Sequence, residues 1–398
     1  MAGLYEPDSL STPFLCPSLL MKLIVFINAI IVVSLLIGCS QITTVNFRTG
    51  LPAPACNADP GSPPSPIMRF HAGKTYEANT ILANKIKPVT EYFMKASGRY
   101  LATGSDNERK AIVDTLLKWS EVEAMTDWGN WEATVDSSWS TYYHAMAAIF
   151  PMVRSYGLVR KDMDLDQIMQ VDAWLGGLID RVNIDAVGSG GRFMGMWYYA
   201  GRQDNKYYQL QAINMAWGSI QGDNNMFDGG LKAFQGAISA LRADGSIRKE
   251  SGRGGSAIHY SNTAIMNLIS IAEQARAKGV NLYSASYQER TIHTAITFLL
   301  DAIEDPRLIV EYAKRDTGSS FKRDSIYNQN LRFLSRHYSG EAGFAWAKIY
   351  SARFPHSDIT SRLQLAAPWL KKDEPVFHYL SGMNTSCVVS LEGQSSKN

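Results

Sequence analysis

Asp244-Gly245-Ser246-Ile247-Arg248-Lys249-Glu250-Ser251-Gly252-Arg253-Gly254-Gly255-Ser256-Ala257-Ile258-His259-Tyr260-Ser261-Asn262 separates two helical patterns, one over 226–241 and one over about 262–277. The stretch is too polar to pack a core of its own. Asp244-Gly245 reads as a turn, and Gly254-Gly255 lets the backbone turn with φ > 0 or approach another group closely. Arg253, His259 and Tyr260 then arrive together at the start of the next helix. Polar side chains on a loop held between two helices have the layout of a site. A solvated basic loop leading into a core helix is the plainer alternative.

Outward from this loop the chain is helical in pattern almost throughout. Apolar residues recur at spacings of three and four over about 76–97, 108–124, 138–156, 165–183, 206–221, 226–242, 262–278, 287–304, 322–337 and 340–354. Gly104-Ser105-Asp106-Asn107, Gly188-Ser189-Gly190-Gly191 and Gly222-Asp223-Asn224-Asn225 punctuate them. Connections this short predict antiparallel helical hairpins, stacked as a solenoid or wound into a toroid. No fixed-period repeat is present, which argues against the solenoid. Aromatic residues crowd the first half, and most belong in a core. Trp139 and Trp197 sit beside polar, loop-like segments, where they could stack on sugar rings.

Met21 begins a run with one lysine, a short apolar stretch and Leu36-Ile37-Gly38-Cys39. This is the layout of a secretory signal ending in a lipobox, with Cys39 lipidated. Residues 1–38 are therefore read as leader and signal peptide, with Met21 the expected start. Residues 39–66 are read as a flexible tether, 67–375 as the folded domain and 376–398 as a C-terminal tail. Ser40 is not the Asp that retains lipoproteins at the inner membrane, so the expected location is the periplasm, on the outer membrane. Of the four cysteines, Cys56 and Cys387 remain once Cys16 and Cys39 are set aside. In an oxidising compartment they could form one bridge. A formal charge of +2 is no nucleic-acid footprint. Metal-ligand spacings of Cys and His are absent, and no cofactor is implied.

The loop resembles the active-site loop of the periplasmic alginate lyases, the fifth family of polysaccharide lyases. Those enzymes carry an Asp/Asn-Gly turn, a Glu-x-x-Arg element and a pair ending in Tyr-x-Asn. The matching residues here are Asp244-Gly245, Glu250, Arg253 and His259-Tyr260-Ser261-Asn262, with Tyr260 seven residues after Arg253. Upstream, Asp204-Asn205-Lys206-Tyr207-Tyr208 is similar to the family's Asn-Asn-His-x-Tyr element and lies in register with Arg253. Lys206 stands where the family has His, and Asp204 where it has its first Asn. Lys74-Thr75-Tyr76-Glu77 resembles a groove element of the family, with one extra residue. The resemblance implies an all-α fold, an incomplete α/α toroid. It also implies β-elimination of an anionic uronic-acid polysaccharide by a metal-free, monomeric enzyme.

Elimination at a uronate removes the C5 proton and expels the C4 oxygen. The neighbouring carboxylate must be neutralised before C5 is acidic enough. Asn205 and Arg253 suit that task, since Arg offers a permanently charged fork. Tyr260 can protonate the leaving oxygen and, as a phenolate near cations, can also take the proton. Lys206 is either a second clamp or, with its pKa lowered by like charge and burial, a base. Lys74, Arg248, Lys249, Trp139, Trp197 and His259 are candidate substrate contacts, although a His at that helix start points away from Tyr260. Glu250 is expected to orient Arg253 through an exposed ion pair. Two other readings stay open. One is a non-catalytic polysaccharide-binding protein on the same scaffold. The other is an inverting glycoside hydrolase, which needs two carboxylates roughly 6.5–9.5 Å apart, Asp244 and Glu250 being the nearest pair.

Overall fold

Helices α1 (Tyr76–Thr103), α3 (Val135–Val159), α5 (Asn205–Gln221) and α7 (Ala257–Ala277) pack side by side in chain order. Outside them lie α2 (Asp106–Glu121), α4 (Leu165–Gly188), α6 (Asn224–Ala240) and α8 (Ile292–Glu304). The outer helices α2, α4 and α6 each pack on the inner helices either side of them, and α8 packs on α7. This alternation of inner and outer helices is the expected all-α, incomplete α/α toroid. Shorter helices follow: α9 (Arg307–Ala313), α10 (Trp346–Arg353) and α11 (Asp358–Ala366). A two-stranded antiparallel hairpin, β1 (Phe377–His378) and β2 (Met383–Asn384), comes next, and described residues 385–389 after it are helical.

The structure, a computed structural model, describes residues 54–71, 76–128, 135–188, 203–315, 326–336 and 343–389. Side chains at 76–79, 135–140 and 184–188 are not described. By contacts the chain divides into Met1–Val45 and Asn46–Asn398, and the described residues belong to the second unit. Cys39, Lys74, Trp197 and the side chain of Trp139 therefore lie outside the described residues.

Local chemistry explains where the helices begin. The Ser105 hydroxyl accepts from Asn107 N at 3.2 Å, with Asp106 and Glu108 in the first turn of α2. Asp204 caps α5 and Asp223 caps α6, each accepting backbone N–H groups that have no partner within the helix. Thr291 and Thr294 form a reciprocal capping box that starts α8 at Ile292, five residues later than the periodicity predicts. One continuous core runs from Phe70 to Leu380 and takes in Trp119, Trp128, Tyr142, Tyr156, Tyr208 and Trp346.

Several expectations need correction. Helix α7 begins at Ala257, not near 262, and the apolar pattern from 340 becomes helix only at Trp346. The described part of the expected 322–337 helix consists of turns and a short 3-10 segment, Arg332–Leu334. Its backbone serves the central loop instead. Asn330 N donates to Gly255 O at 2.9 Å, Gln329 Nε2 donates to Gly254 O at 3.0 Å, and Gln329 Oε1 accepts from Ile258 N at 3.2 Å. Tertiary demand for partners at the glycine-rich turn overrides local propensity here. The segment read as tether is packed from Pro54 onward, with Trp119 Nε1 donating to Pro64 O at 3.1 Å. The segment read as a tail holds buried Leu380, Met383, Asn384 and Cys387, and Cys387 is bonded to Cys56.

Candidate active site

The site grows from the N-terminal ends of the neighbouring inner helices α5 and α7, with Tyr143 and His144 of α3 beside them. On α5, Asp204 is 1% exposed and accepts from Tyr207 N at 3.0 Å, which fixes the first turn. Lys249 reaches Asp204 at 3.7 Å, so this lysine steadies a helix cap. The next residue, Asn205, donates to one oxygen of Glu250 twice, from its backbone N at 2.6 Å and from Nδ2 at 2.9 Å. Asn267 on α7 donates to Asn205 O at 2.8 Å and ties the two inner helices together.

Glu250 departs most from expectation. It is fully buried, not exposed, and its hydrogen bonds go to Asn205, not to Arg253. Burial and the nearby Asp204 carboxylate push its pKa up to about 7, against the pull of Arg253 and the Asn205 donors. Glu250 thus positions Asn205 directly and feels Arg253 through space.

Two short 3-10 turns, Glu250–Gly252 and Gly254–Ser256, carry the chain into α7. Arg253 lies between them, and its guanidinium stands 4.1 Å from the centroid of the Tyr260 ring. That is cation–π stacking distance. Arg253 thus stacks on Tyr260, while Glu250 bonds Asn205 and feels Arg253 through space. Arg248 is exposed, and its carbonyl accepts from Arg242 Nη2 at 3.2 Å. His259 packs beside Tyr260, with ring centroids 5.4 Å apart, and against Phe333 at 6.1 Å.

Lys206 turns toward α3, with its ammonium 5.9 Å from the centroid of Tyr143. It also helps hold the buried His144 imidazole down to about 4, burial being the larger cause. The Lys206 ammonium is thus set against an aromatic face. Tyr143 and His144 were not singled out as site residues by the sequence. Their placement depends on how α3 packs on α5, and no local motif marks it. His378 and Tyr379, from the hairpin, also reach this region. The placing of Cys56 and Cys387 near the two ends of the fold was the available signal that the C-terminal segment is held in place.

Asp244 lies apart from the buried Glu250. It accepts from Tyr312 Oη at 2.6 Å and from Ser246 N at 2.9 Å, and it shapes the turn. These bonds give Asp244 a structural role in the turn. No cluster of three or more His, Cys, Asp or Glu among the described residues is placed to hold a metal ion.

A mainly helical toroid with a polar site at its inner-helix N-termini is the class that this geometry defines. Residues 134–309, which include Asn205, Lys206, Arg253 and Tyr260, match the alginate lyase family model. The chain is 24% identical over 243 residues to a polysaccharide lyase of Stenotrophomonas maltophilia (strain K279a), covering 58% of this chain and 68% of that one. Among solved structures it resembles alginate lyase A1-III from Sphingomonas species A1, with a TM-score of 0.62 and 19% identity over 88% of this chain and 90% of that one. A histidine-to-alanine variant of alginate lyase A1-III complexed with tetrasaccharide gives a TM-score of 0.62 and 20% identity, over 86% and 87% of the two chains. An alginate lyase from Bacteroides ovatus is more distant, with a TM-score of 0.51 and 13% identity over 86% and 89%.

Proposed function

We propose that the chain is a polysaccharide lyase that cleaves a uronic-acid polymer, polymannuronate or a related acidic polysaccharide, by β-elimination. The stacking of Arg253 on Tyr260, joined through Glu250 to Asn205, carries this reading. Arg253 and the second N–H of the Asn205 amide would hold the substrate carboxylate and take up charge as C5 loses its proton. The C5–H electron pair becomes the C4=C5 double bond, and the C4–O bond breaks. The departing oxygen takes a proton from Tyr260.

In this scheme Tyr260, as phenolate, accepts the C5 proton and returns it to the leaving oxygen. That route suits syn elimination, in which both groups lie on one face, as in mannuronan. Lys206, set against Tyr143, serves in this scheme as a second cation for the anionic chain. The lipobox-like Leu36-Ile37-Gly38-Cys39 supports a lipid-anchored, periplasmic enzyme.

The test is ultraviolet absorbance of the unsaturated product, with polymannuronate, polyguluronate, glucuronan and hyaluronan offered in turn. Wild type is expected to give a rise with at least one polymer, and Tyr260→Phe to lower it at least ~100-fold. Lys206 in place of the family's histidine favours a second reading, a protein that binds the polymer without cutting it. Binding with no absorbance rise from any polymer would establish that reading instead.

A further inference from the structure

Two side-chain hydrogen bonds tie α5 to α7, and both end on backbone carbonyls. Asn267 Nδ2 donates to Asn205 O at 2.8 Å, and Gln274 Nε2 donates to Ala212 O at 3.1 Å. Each bond joins residues 62 apart in sequence, so the two helices run parallel and the bonds form two rungs, seven residues apart on either helix. At about 1.5 Å of rise per residue the rungs stand roughly 10 Å apart. Gln274 Nε2 is also 3.3 Å from Ser270 O on its own helix, which steadies the donor.

The seam between the rungs is polar as well. Gln209 lies one turn beyond Asn205 and is 1% exposed, and neither polar atom of its amide has a hydrogen-bond partner among the described residues. Ser270 Oγ, Asn267 Oδ1 and Gln274 Oε1 are buried in the same condition. Apolar side chains would cost less to bury at these positions. Hydrophobic burial is non-directional and tolerates a small slide of one helix along another, whereas a bond to one particular carbonyl holds one height. The best-attested effect of polar groups buried between helices is to fix register. Register matters here because the site is divided between the two helices. Asn205 begins α5, while Tyr260 lies in the first turn of α7 with Arg253 stacked on it. Glu250 holds Asn205 from the loop, and the rungs hold the length of α5 behind it.

We propose that Asn267 and Gln274 are positioning residues that lock the axial register of α5 against α7, and so set the height of Asn205 relative to Arg253 and Tyr260. The proposal rests on the lyase reading above, which is what makes this height matter. Gln274 is fourteen residues beyond Tyr260, roughly 21 Å along α7, and acts on the reaction only through α5.

The experiment measures kcat and KM by product absorbance, with the full chain and each of the four polymers, well below the melting temperature. Gln274→Met keeps the length of the side chain and removes the donor. Asn267→Leu removes the donor of the rung nearer the site. Each is expected to lower kcat about 10–100-fold with KM within about twofold of wild type, since a misplacement near 1 Å costs that much in rate. The double variant is expected to lose more than the product of the two single losses, because one rung alone still holds part of the register. Ser105→Ala, which removes the cap of α2, is the control: its melting temperature should fall while kcat stays at the wild-type value.

A wild-type kcat in a folded Gln274→Met protein overturns the lock and leaves the lyase reading intact, and so does a loss confined to KM. If Asn267→Leu does not fold, Gln274→Met decides. If neither folds, Gln274→Asn, one methylene too short to reach Ala212, decides on the same kcat criterion. No absorbance rise from wild type with any polymer overturns the lyase reading, and the lock with it.

Discussion

Glu250 shows how one buried residue can organise a site that it does not enter. Its carboxylate accepts two donors from Asn205 and sits within the field of Asp204 and Arg253. Its pKa in the fold, about 7, lies above the ordinary value of 4.5. Between those values the unfolded chain releases a proton that the folded one keeps. Stability from this group is therefore complete below about pH 4.5 and is lost as pH rises through about 7. His144 works in the opposite direction, since its pKa falls from 6.5 to about 4. Its contribution is present above about pH 6.5 and lost as pH falls through about 4. Thermal melts across this range should show a maximum between the two limits. In Glu250→Gln the loss on the alkaline side should flatten, by an amount on the order of 1–3 kcal/mol. A melting profile whose alkaline limb is unchanged in Glu250→Gln would contradict this assignment. The sequence identified Glu250 as a partner of the site but misjudged its burial. An acidic residue in a run of Arg, Lys, Ser and Gly reads as exposed, and the packing of its turn against α7 and α9 is not visible locally.

At the level of elements, the loop from Asp244 to Ser256 is held from several sides. Arg242 bonds Ser246 Oγ at 3.1 Å and Ser251 Oγ at 2.6 Å, and its guanidinium lies 4.0 Å from the Tyr312 ring centroid. Gln329 and Asn330 occupy the backbone groups of the glycine-rich turn. Gly245 has φ +89°, and a Cβ there would come within 2.4 Å of Thr294 O. Backbone strain and steric overlap therefore act together in Gly245→Ala, which should cost roughly 2–4 kcal/mol in denaturant unfolding. A loss within error of zero would mean that the turn can relax away from α8. The sequence marked this turn, the polar clusters that contain Ser105 and Asp223, and most helices, because those signals are local. The missed features depend on distant partners. Residues 326–336 surrender their helical pattern to the turn beside them, and Tyr379 meets Tyr143 only once the C-terminal hairpin is laid over α3.

Taken whole, the molecule is a row of inner helices backed by outer ones, tied off by a bond between residues 331 apart in sequence. The all-α class followed from helical period and short connections, and the toroid from the resemblance of the central loop. The closing bond did not, since a sequence gives no distance between two cysteines. A loop of that length loses much conformational entropy when crosslinked in the unfolded state. Reducing the bond, or replacing Cys56 and Cys387 with Ser, should lower unfolding free energy by about 2–4 kcal/mol. Helical circular dichroism should be unchanged under native conditions. An unfolding midpoint identical with and without reductant would show that the bond constrains nothing.

The same bond changes what a break in the backbone means. Every helix from α1 to α11 lies between Cys56 and Cys387, so the folded part is a covalent ring. A single protease cut within the ring opens it into one branched chain, and both fragments stay attached through sulfur. Such a nicked molecule keeps its local concentration of fragments and need not reassemble from separate pieces. Separating the fragments by this route therefore takes two events, a cut and a reduction, where an unbridged chain would need only one.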